Sequence, residues 1–413
     1  MRAEEYVAAR GDTYRSIARA SGVGCRELIM ANPQRLASEP LRAGELLYLP
    51  VPTAQKRMYV VQPGDTLADI AEAFACAASR LRELNPGLSG GAEPVAGARI
   101  ELPPPSPARI VIPSSGYGPA RLAADVKRLT NAFPFLKTAT IGKSVMGKPI
   151  VALRIGDGPF CWHLNAAVHA NEWITSLIAM RFLEDYGRAC RRRARIGGLE
   201  AADLYRRTSL WVVPMVNPDG VELVQEGLQP GHPLSAQLGR WNRGSPSFRN
   251  WKANARGVDL NDQFPAGWEE ERRRRGVPGP APRDYGGDAP LCEPEAAALA
   301  SFAEEQDFDA VISLHTQGEE IYWNYGGLEP PESKAWASRL GLASGYRPVE
   351  LSGSDAGFKD WFIARFRKPG FTVEAGHGRN PLPLAAFEDM YDDCLRLLTE
   401  ALDLSPGGLY NRT

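Results

Sequence analysis

The sequence has little histidine, cysteine or lysine, and almost no excess of either charge. Its 413 residues hold five histidines (His163, His169, His232, His315 and His377), so a histidine-based site has few candidates. The six cysteines, Cys25, Cys76, Cys161, Cys190, Cys292 and Cys394, are scattered with no CxxC spacing. In a chain this long that scatter reads as free thiols and not as a disulfide framework. Lys plus Arg is 48 and Asp plus Glu is 49, a formal net charge of −1. That balance argues against nucleic acid or an anionic membrane surface as the main partner. No stretch approaches 18 consecutive apolar residues, which excludes a transmembrane helix. Met1 to Val7 shows no apolar run behind a basic start, so no secretory signal is expected. What remains, 44% apolar and 23% charged, is ordinary globular composition. The length is a prior of about two to three domains.

A repeat opens the chain. Tyr6-Val7, Gly11-Asp12-Thr13, Asn32-Pro33 and Leu49-Pro50 recur as Tyr59-Val60, Gly64-Asp65-Thr66, Asn85-Pro86 and Leu102-Pro103, every pair at one fixed offset. Each copy reads strand, helix, helix, strand. Gly64-Asp65-Thr66 is a turn with an N-cap for a helix through Leu67, Ile70 and Ala71. Leu81 and Leu84 lie on a second short helix ending at Asn85-Pro86, and Arg99 to Pro103 closes as a strand. Such a unit buries little core by itself. The pattern resembles LysM modules, which bind glycans containing N-acetylglucosamine, over residues 4–50 and 57–103. The resemblance places glycan contacts at the loop after the first strand, at Gly11, Asp12 and Thr13 and again at Gly64, Asp65 and Thr66. Residues 104–114, opening Pro104-Pro105-Ser106-Pro107, read as a semi-rigid linker.

Residues 115–405 alternate strand and helix patterns. Strands are expected at Ile150–Ile155, Cys161–Val168, Leu210–Val216, Ala310–Leu314 and Phe371–Glu374. Helices are expected at Arg121–Asn131, Trp173–Tyr186, Ser333–Ser344 and Ala385–Leu402. This alternation predicts an α/β fold with a doubly wound, mostly parallel mixed sheet. Ligands of such sheets sit beyond the carboxyl ends of the strands.

The residues at those strand ends are chemically pointed. His169 and Glu172 stand three apart just past a buried strand, His315 ends a second strand and Glu374 a third. Imidazole nitrogen and carboxylate oxygen are zinc donors, and three of them with a free fourth position make the catalytic type of zinc site. A lone carboxylate closing an apolar strand otherwise carries a desolvation cost.

The order His169-x-x-Glu172, Asn217-Pro218-Asp219-Gly220, Gly257-Val258-Asp259-Leu260-Asn261, His315 and Glu374 resembles the zinc carboxypeptidases of the carboxypeptidase A type. The resemblance implies one Zn2+ per chain, held by His169, Glu172 and His315. It implies Glu374 as the general base for the attacking water. The family's oxyanion arginine lies in a Trp-Arg-Lys-Asn run. Here the run is Trp251-Lys252-Ala253-Asn254, which puts Lys252 in that place with Arg249 and Arg256 as rivals.

Departures bear on specificity. Exopeptidases of the family follow the Asn of this run with an arginine for the substrate's terminal carboxylate, whereas Asn261 is followed by Asp262. A carboxylate there repels a C-terminal carboxylate. The family's tyrosine near the Asp360-Trp361 pair is replaced by Ser352. Lys359, one of nine lysines, occupies the floor of the family's pocket for the leaving residue and suits an acidic group. The runs Gly257 to Pro265 and Glu374 to Pro381 look like one branch, the γ-D-glutamyl-L-diamino acid peptidases of bacterial cell walls. That branch implies peptidoglycan glycan strands and stem peptides as partners. Substrate contacts are then expected from Asn261, Asp262, Lys359 and His377, with Asp262 and Lys359 each facing one charge of a diaminopimelate. Two alternatives stand beside this reading: an exo-carboxypeptidase or amidohydrolase of the same fold on ordinary peptides, and a wall-binding protein whose peptidase domain is inactive. With no signal, synthesis in the cytoplasm is expected, with action there, in the spore, or at the wall after release. Glu269 to Arg275 reads as a solvated insertion, and His163 as a core residue.

Overall fold

In a computed structural model of the chain, residues 109–404 are described without a break. Of the repeat region, residues 3–9, 12–21, 25–32, 41–50, 57–61, 65–67, 70, 81–82 and 84–102 are described. Gly11, Gly64, Cys76 and linker residues 104–108 lie outside these. No described helix is long and apolar enough to cross a membrane.

Both repeats are built on one plan, held by side chains at equivalent positions. The first has strands Ala3–Val7 and Leu46–Pro50 with helices Tyr14–Ser21 and Cys25–Met30. The second pairs Arg57–Val60 with Arg99–Leu102 in antiparallel register. Ile17, Leu28, Leu47 and Leu49 are buried in the first, as are Ile70, Leu81, Ile100 and Leu102 in the second. Tyr6 donates its hydroxyl to Asp12 at 2.8 Å, and Tyr59 to Asp65 at 2.6 Å. Asn32 donates to the carbonyls of Leu28 and Tyr48 and accepts from Tyr48 N at 2.7 Å. Asn85 repeats this with Leu81 and Glu101. One amide, buried at Asn32 and half-buried at Asn85, thus ties a helix end to the closing strand, supplying backbone partners that so small a core cannot.

The chain forms two compact units, Met1–Glu4 with Pro50–Ile112, and Glu5–Leu49 with Pro113–Thr413. The break between Ile112 and Pro113 falls within the stretch 104–114 expected to divide the chain. The first repeat belongs to the unit of the large domain.

That domain is organised by an eight-stranded sheet. Its order is Arg347–Val349, Glu320–Tyr322, Gly370–Glu374, Ala310–His315, Phe160–Ala166, Thr208–Val213, Pro149–Ile155 and Lys137–Lys143. The four central strands, from Gly370–Glu374 to Thr208–Val213, run parallel; Glu320–Tyr322 is antiparallel to Gly370–Glu374 and parallel to Arg347–Val349, and Pro149–Ile155 is antiparallel to both its neighbours. The expected mixed, mostly parallel sheet is borne out. The expected strands and helices recur with ends shifted by a few residues, the longest extension being the helix Ile174–Arg192. Three strands of this sheet were not foreseen: Lys137–Lys143, Glu320–Tyr322 and Arg347–Val349. All lie towards the sheet's edges and are half exposed, so they lack the apolar runs that mark the centre.

Glu269 to Arg275 is largely solvated as expected, with Glu271 the exception, but it is ordered. It forms most of a helix, Trp268–Arg275, in which Trp268 and Glu271 are buried. Glu271 pairs with Arg274 and Arg275, and Arg274 reaches Asp355 at 2.8 Å. The charge run folds because partners lie at i+3 and i+4 and because carboxylates outside the helix accept its arginines. His163 is a core residue as expected, stacked on Phe308 at 4.8 Å, and burial lowers its pKa to about 3.

Candidate active site

The carboxyl ends of the central strands bring the strand-end residues together. After Phe160–Ala166 the chain turns through Ala167, at φ 46°, into a short turn Ala170–Glu172 and then the helix Ile174–Arg192. Thr175 locks this turn: its hydroxyl accepts from Ala167 N at 2.9 Å and donates to Glu172 O at 2.7 Å. The turn sets His169 Nδ1 2.9 Å from Glu172 Oε1. His315, at the end of the neighbouring strand, places its Nδ1 3.0 Å from His169 Nδ1 and 3.0 Å from Glu172 Oε2. Among the described residues these three form the one histidine, cysteine and carboxylate cluster able to hold a metal, and all are buried.

The donor set fits zinc. Two imidazole nitrogens and a carboxylate converge within a triangle of about 3 Å. Tetrahedral zinc with bonds of about 2.0–2.1 Å separates neighbouring donors by roughly 3.3 Å. The electrostatics point the same way. Burial opposes charge on His169, yet Glu172 and Asp259 outweigh it and raise its pKa to about 9. The site attracts a cation, which a dication satisfies by displacing a proton.

Further residues hold the ligands in place. Asp259 Oδ1 lies 3.2 Å from His169 Nε2, the carboxylate–histidine pairing that orients metal ligands. Asp259 also accepts from Asn261 N and Asp284 N. Thr316 N and Asn380 Nδ2 donate to Glu172 at 3.2 and 3.3 Å, while the Thr316 hydroxyl donates to Asn380 Oδ1 and Asn380 Nδ2 donates to the Thr316 carbonyl. Asn217 caps the helix Pro218–Glu226 and donates to the carbonyls of Val168 and Ala253, joining the approach to His169 with the Lys252 segment. Asp259, Thr316 and Asn380 were assigned no role from the sequence. Asp259 alone carried a signal, a carboxylate set between Val258 and Leu260.

Glu374 pairs with His315 in the strand register and lines the same cleft as the ligands. Burial beside Glu172 pushes Glu374 up to about 8, with His169 and Lys252 pulling it down. The cleft, of about 480 Å³, is also lined by Asn250, Lys252, Arg283, Tyr322 and Arg379. Lys252 Nζ lies 3.7 Å from Asp259 Oδ2. Burial works against its charge, but Asp259 and Glu172 prevail and its pKa is raised. Its rivals do not line the cleft. Arg249 is exposed, and Arg256 faces Glu293 at 3.6 Å.

The four residues expected to touch substrate are not among those lining the cleft. Asp262 is buried and held by Arg275, Nε to Oδ2 at 3.1 Å and Nη2 to Oδ1 at 3.2 Å. Lys359 is buried, paired with Asp360 and donating to Asn324 O at 2.7 Å. A free pairing of either with a diaminopimelate charge therefore gives way to internal partners. Asn261 accepts from Phe358 N at 3.5 Å, and His377 is exposed. In the repeats, the Asp12 carboxylate is engaged within its own loop by Tyr6 and Ala9 N, and Asp65 by Tyr59, while Thr13 is exposed.

Comparison with known proteins agrees with this geometry. The zinc carboxypeptidase family model matches residues 122–365, and the LysM domain model matches residues 6–50 and 59–103. The chain is 47% identical over 296 residues to gamma-D-glutamyl-L-diamino acid endopeptidase 1 of Lysinibacillus sphaericus, covering 72% of this chain and 74% of that protein. It is 41% identical over 290 residues to the uncharacterized protein YqgT of Bacillus subtilis (strain 168), covering 69% and 77%. Among solved structures, bovine thrombin-activatable fibrinolysis inhibitor superposes with a TM-score of 0.55 at 19% identity, over 70% of this chain and 96% of that one. Carboxypeptidase A from Helicoverpa armigera gives 0.52 at 16% identity, over 79% and 80%. These two share the fold. With a family match across more than half its length, and the His-Glu-His cluster lying within that match, the chain belongs to the zinc carboxypeptidases and carries two LysM domains ahead of the peptidase domain.

Proposed function

We propose that this protein is a zinc peptidase of bacterial peptidoglycan stem peptides that cuts between γ-D-glutamate and the diamino acid after it, diaminopimelate or lysine. The observation that carries a peptidase reading is the His169–Glu172–His315 triangle beside Glu374 in a polar cleft. The bond is supported by the relative named for it. It is supported also at residue 262, where exopeptidases of this family carry a cation for a free terminal carboxylate. Here that position holds an acid already neutralised by Arg275. The two LysM domains support glycan strands as the anchoring partner.

Zinc held by His169, Glu172 and His315 supplies Lewis acidity for the scissile carbonyl and its attacking water. Glu374 takes a proton from that water and passes it to the departing amine; its raised pKa suits both directions of transfer near neutral pH. Lys252, held charged by Asp259, stabilises the developing oxyanion. Asp259, Thr316 and Asn380 keep the ligand side chains from reorienting.

Mass spectrometry of products from purified muropeptides tests the reading, with zinc-loaded wild type and Glu374→Gln compared. Release of L-Ala-γ-D-Glu and a diaminopimelate-bearing fragment by wild type alone is expected. Trimming of only a C-terminal residue transfers the assignment to an exopeptidase.

A further inference from the structure

The two repeats match at the positions that fix their fold and differ at the positions where the first meets the peptidase domain. Arg15, on the helix Tyr14–Ser21, leaves its repeat and reaches three elements of the large domain. It pairs with Asp393 at 2.9 Å and with Glu319, and its guanidinium lies 5.3 Å from the centre of the Tyr346 ring. Cys25, buried in the repeat's core, abuts the same place: a Cβ on Gly345 would sit 3.6 Å from Arg15 Nη2 and 3.8 Å from Cys25 Sγ. Position 15 corresponds to Ala68 in the second copy, and position 25 to Ala78. At these two positions the second copy thus has neither the cation nor the thiol.

The residues that Arg15 grips bond to the segment bearing Glu374. Glu319 N donates to Glu374 O at 2.7 Å, and Gly318 N to Gly376 O at 2.8 Å. Tyr346 accepts from Gly376 N through its hydroxyl at 3.3 Å. Glu319 itself sits at φ 58°, a left-handed conformation that a non-glycine residue keeps only where its surroundings impose it. Arg15 holds its side chain there.

We propose that the first LysM repeat is a positioning part of the peptidase. Arg15 docks it on Asp393, Glu319 and Tyr346, and through the latter two fixes the backbone from the Glu374 carbonyl to Gly376. The copies are then not interchangeable. The first is built into the enzyme. Arg15 is a positioning residue that touches no substrate, so its loss lowers kcat and leaves KM unchanged. The catalytic part of this inference rests on the peptidase reading above.

The test uses the full chain and a sugar-free stem peptide, L-alanyl-γ-D-glutamyl-diaminopimelyl-D-alanine, on which glycan binding by the repeats has no bearing. Arg15→Ala lowers kcat about tenfold with KM unchanged, and Arg15→Lys recovers part of it. In parallel, deuterium exchange rises at 316–322, 345–349 and 374–378 in Arg15→Ala. Ala68→Arg, at the matching position of the second copy, changes neither readout. Wild-type kcat in Arg15→Ala, or added exchange confined to the repeat, overturns the inference. If the wild type fails to cut this peptide, the peptidoglycan reading falls instead, and the exchange measurement still decides whether Arg15 holds the segment around Glu374.

Discussion

Asp262 lies in the fork of Arg275, both carboxylate oxygens within 3.2 Å of guanidinium nitrogens. The pair joins the end of a charged surface helix to the segment that carries Asp259, and through it to His169. Burial and the neighbouring Asp259 raise the Asp262 pKa to about 6, against Arg275 and Lys252. Arg275→Met keeps the aliphatic stem and removes that opposition, leaving a buried carboxylate without its main counter-ion. The expected loss is about 2 kcal/mol at pH 8. A raised carboxyl pKa favours the neutral form, so the loss shrinks as pH falls towards 5 and Asp262 takes up a proton. Urea unfolding at the two pH values checks this, and an equal loss at both contradicts it.

Asp259→Asn tests the support of His169. Losing a carboxylate that faces a ligand imidazole weakens metal binding by about 10–100-fold, measurable by competition with a chelator. The raised pKa of His169 adds a second readout: zinc uptake at pH 7 in a weak buffer releases protons. Unchanged affinity in the variant shows that the 3.2 Å contact does not orient the ligand.

Lys252→Ala removes the cleft cation set against Asp259. A lost oxyanion partner lowers kcat by about 10²–10³ with little change in KM, and Lys252→Arg restores much of it. A loss expressed in KM alone assigns Lys252 to ground-state binding.

Glu295 gives a pH signature remote from the chemistry. Burial raises its pKa to about 7, only partly offset by bonds from Val145 N and the Asn254 amide. The folded state therefore binds more protons than the unfolded state between the ordinary glutamate pKa and about pH 7. Stability contributed by this group is complete below that window and is lost as pH rises through it. Glu295→Gln removes the titration. Relative to the variant, wild type loses on the order of 3 kcal/mol between pH 4.5 and pH 8. Parallel stability curves for the two proteins refute the assignment.

What the sequence revealed follows from how locally each feature is encoded. The repeats were legible because tyrosine, aspartate and asparagine recur at one spacing and each bonds within its own module. The central strands were legible as apolar runs, and His169, Glu172, His315 and Glu374 because each closes such a run or its turn. Asp262 and Lys359 were read as free charges because their partners could not be foreseen. Arg275 is brought back by a helix hidden in a charge run, and Asn324 O reaches Lys359 only through the tertiary fold. Asn380 was invisible for a related reason, since its bonds to Thr316 and Glu172 span 64 and 208 residues. The edge strands carried too few apolar side chains to mark themselves.

The triangle of ligands also bears on how the chain is tied together. His169 and His315 stand 146 residues apart in sequence yet 3.0 Å apart in space. An ion bound between them closes a loop of that length, the same constraint on an unfolded chain that a long-range covalent crosslink imposes. In a protein whose described cysteines are free, a metal bound at this site would also be a reversible staple across the sheet, and a chelator would act on folding as well as on turnover.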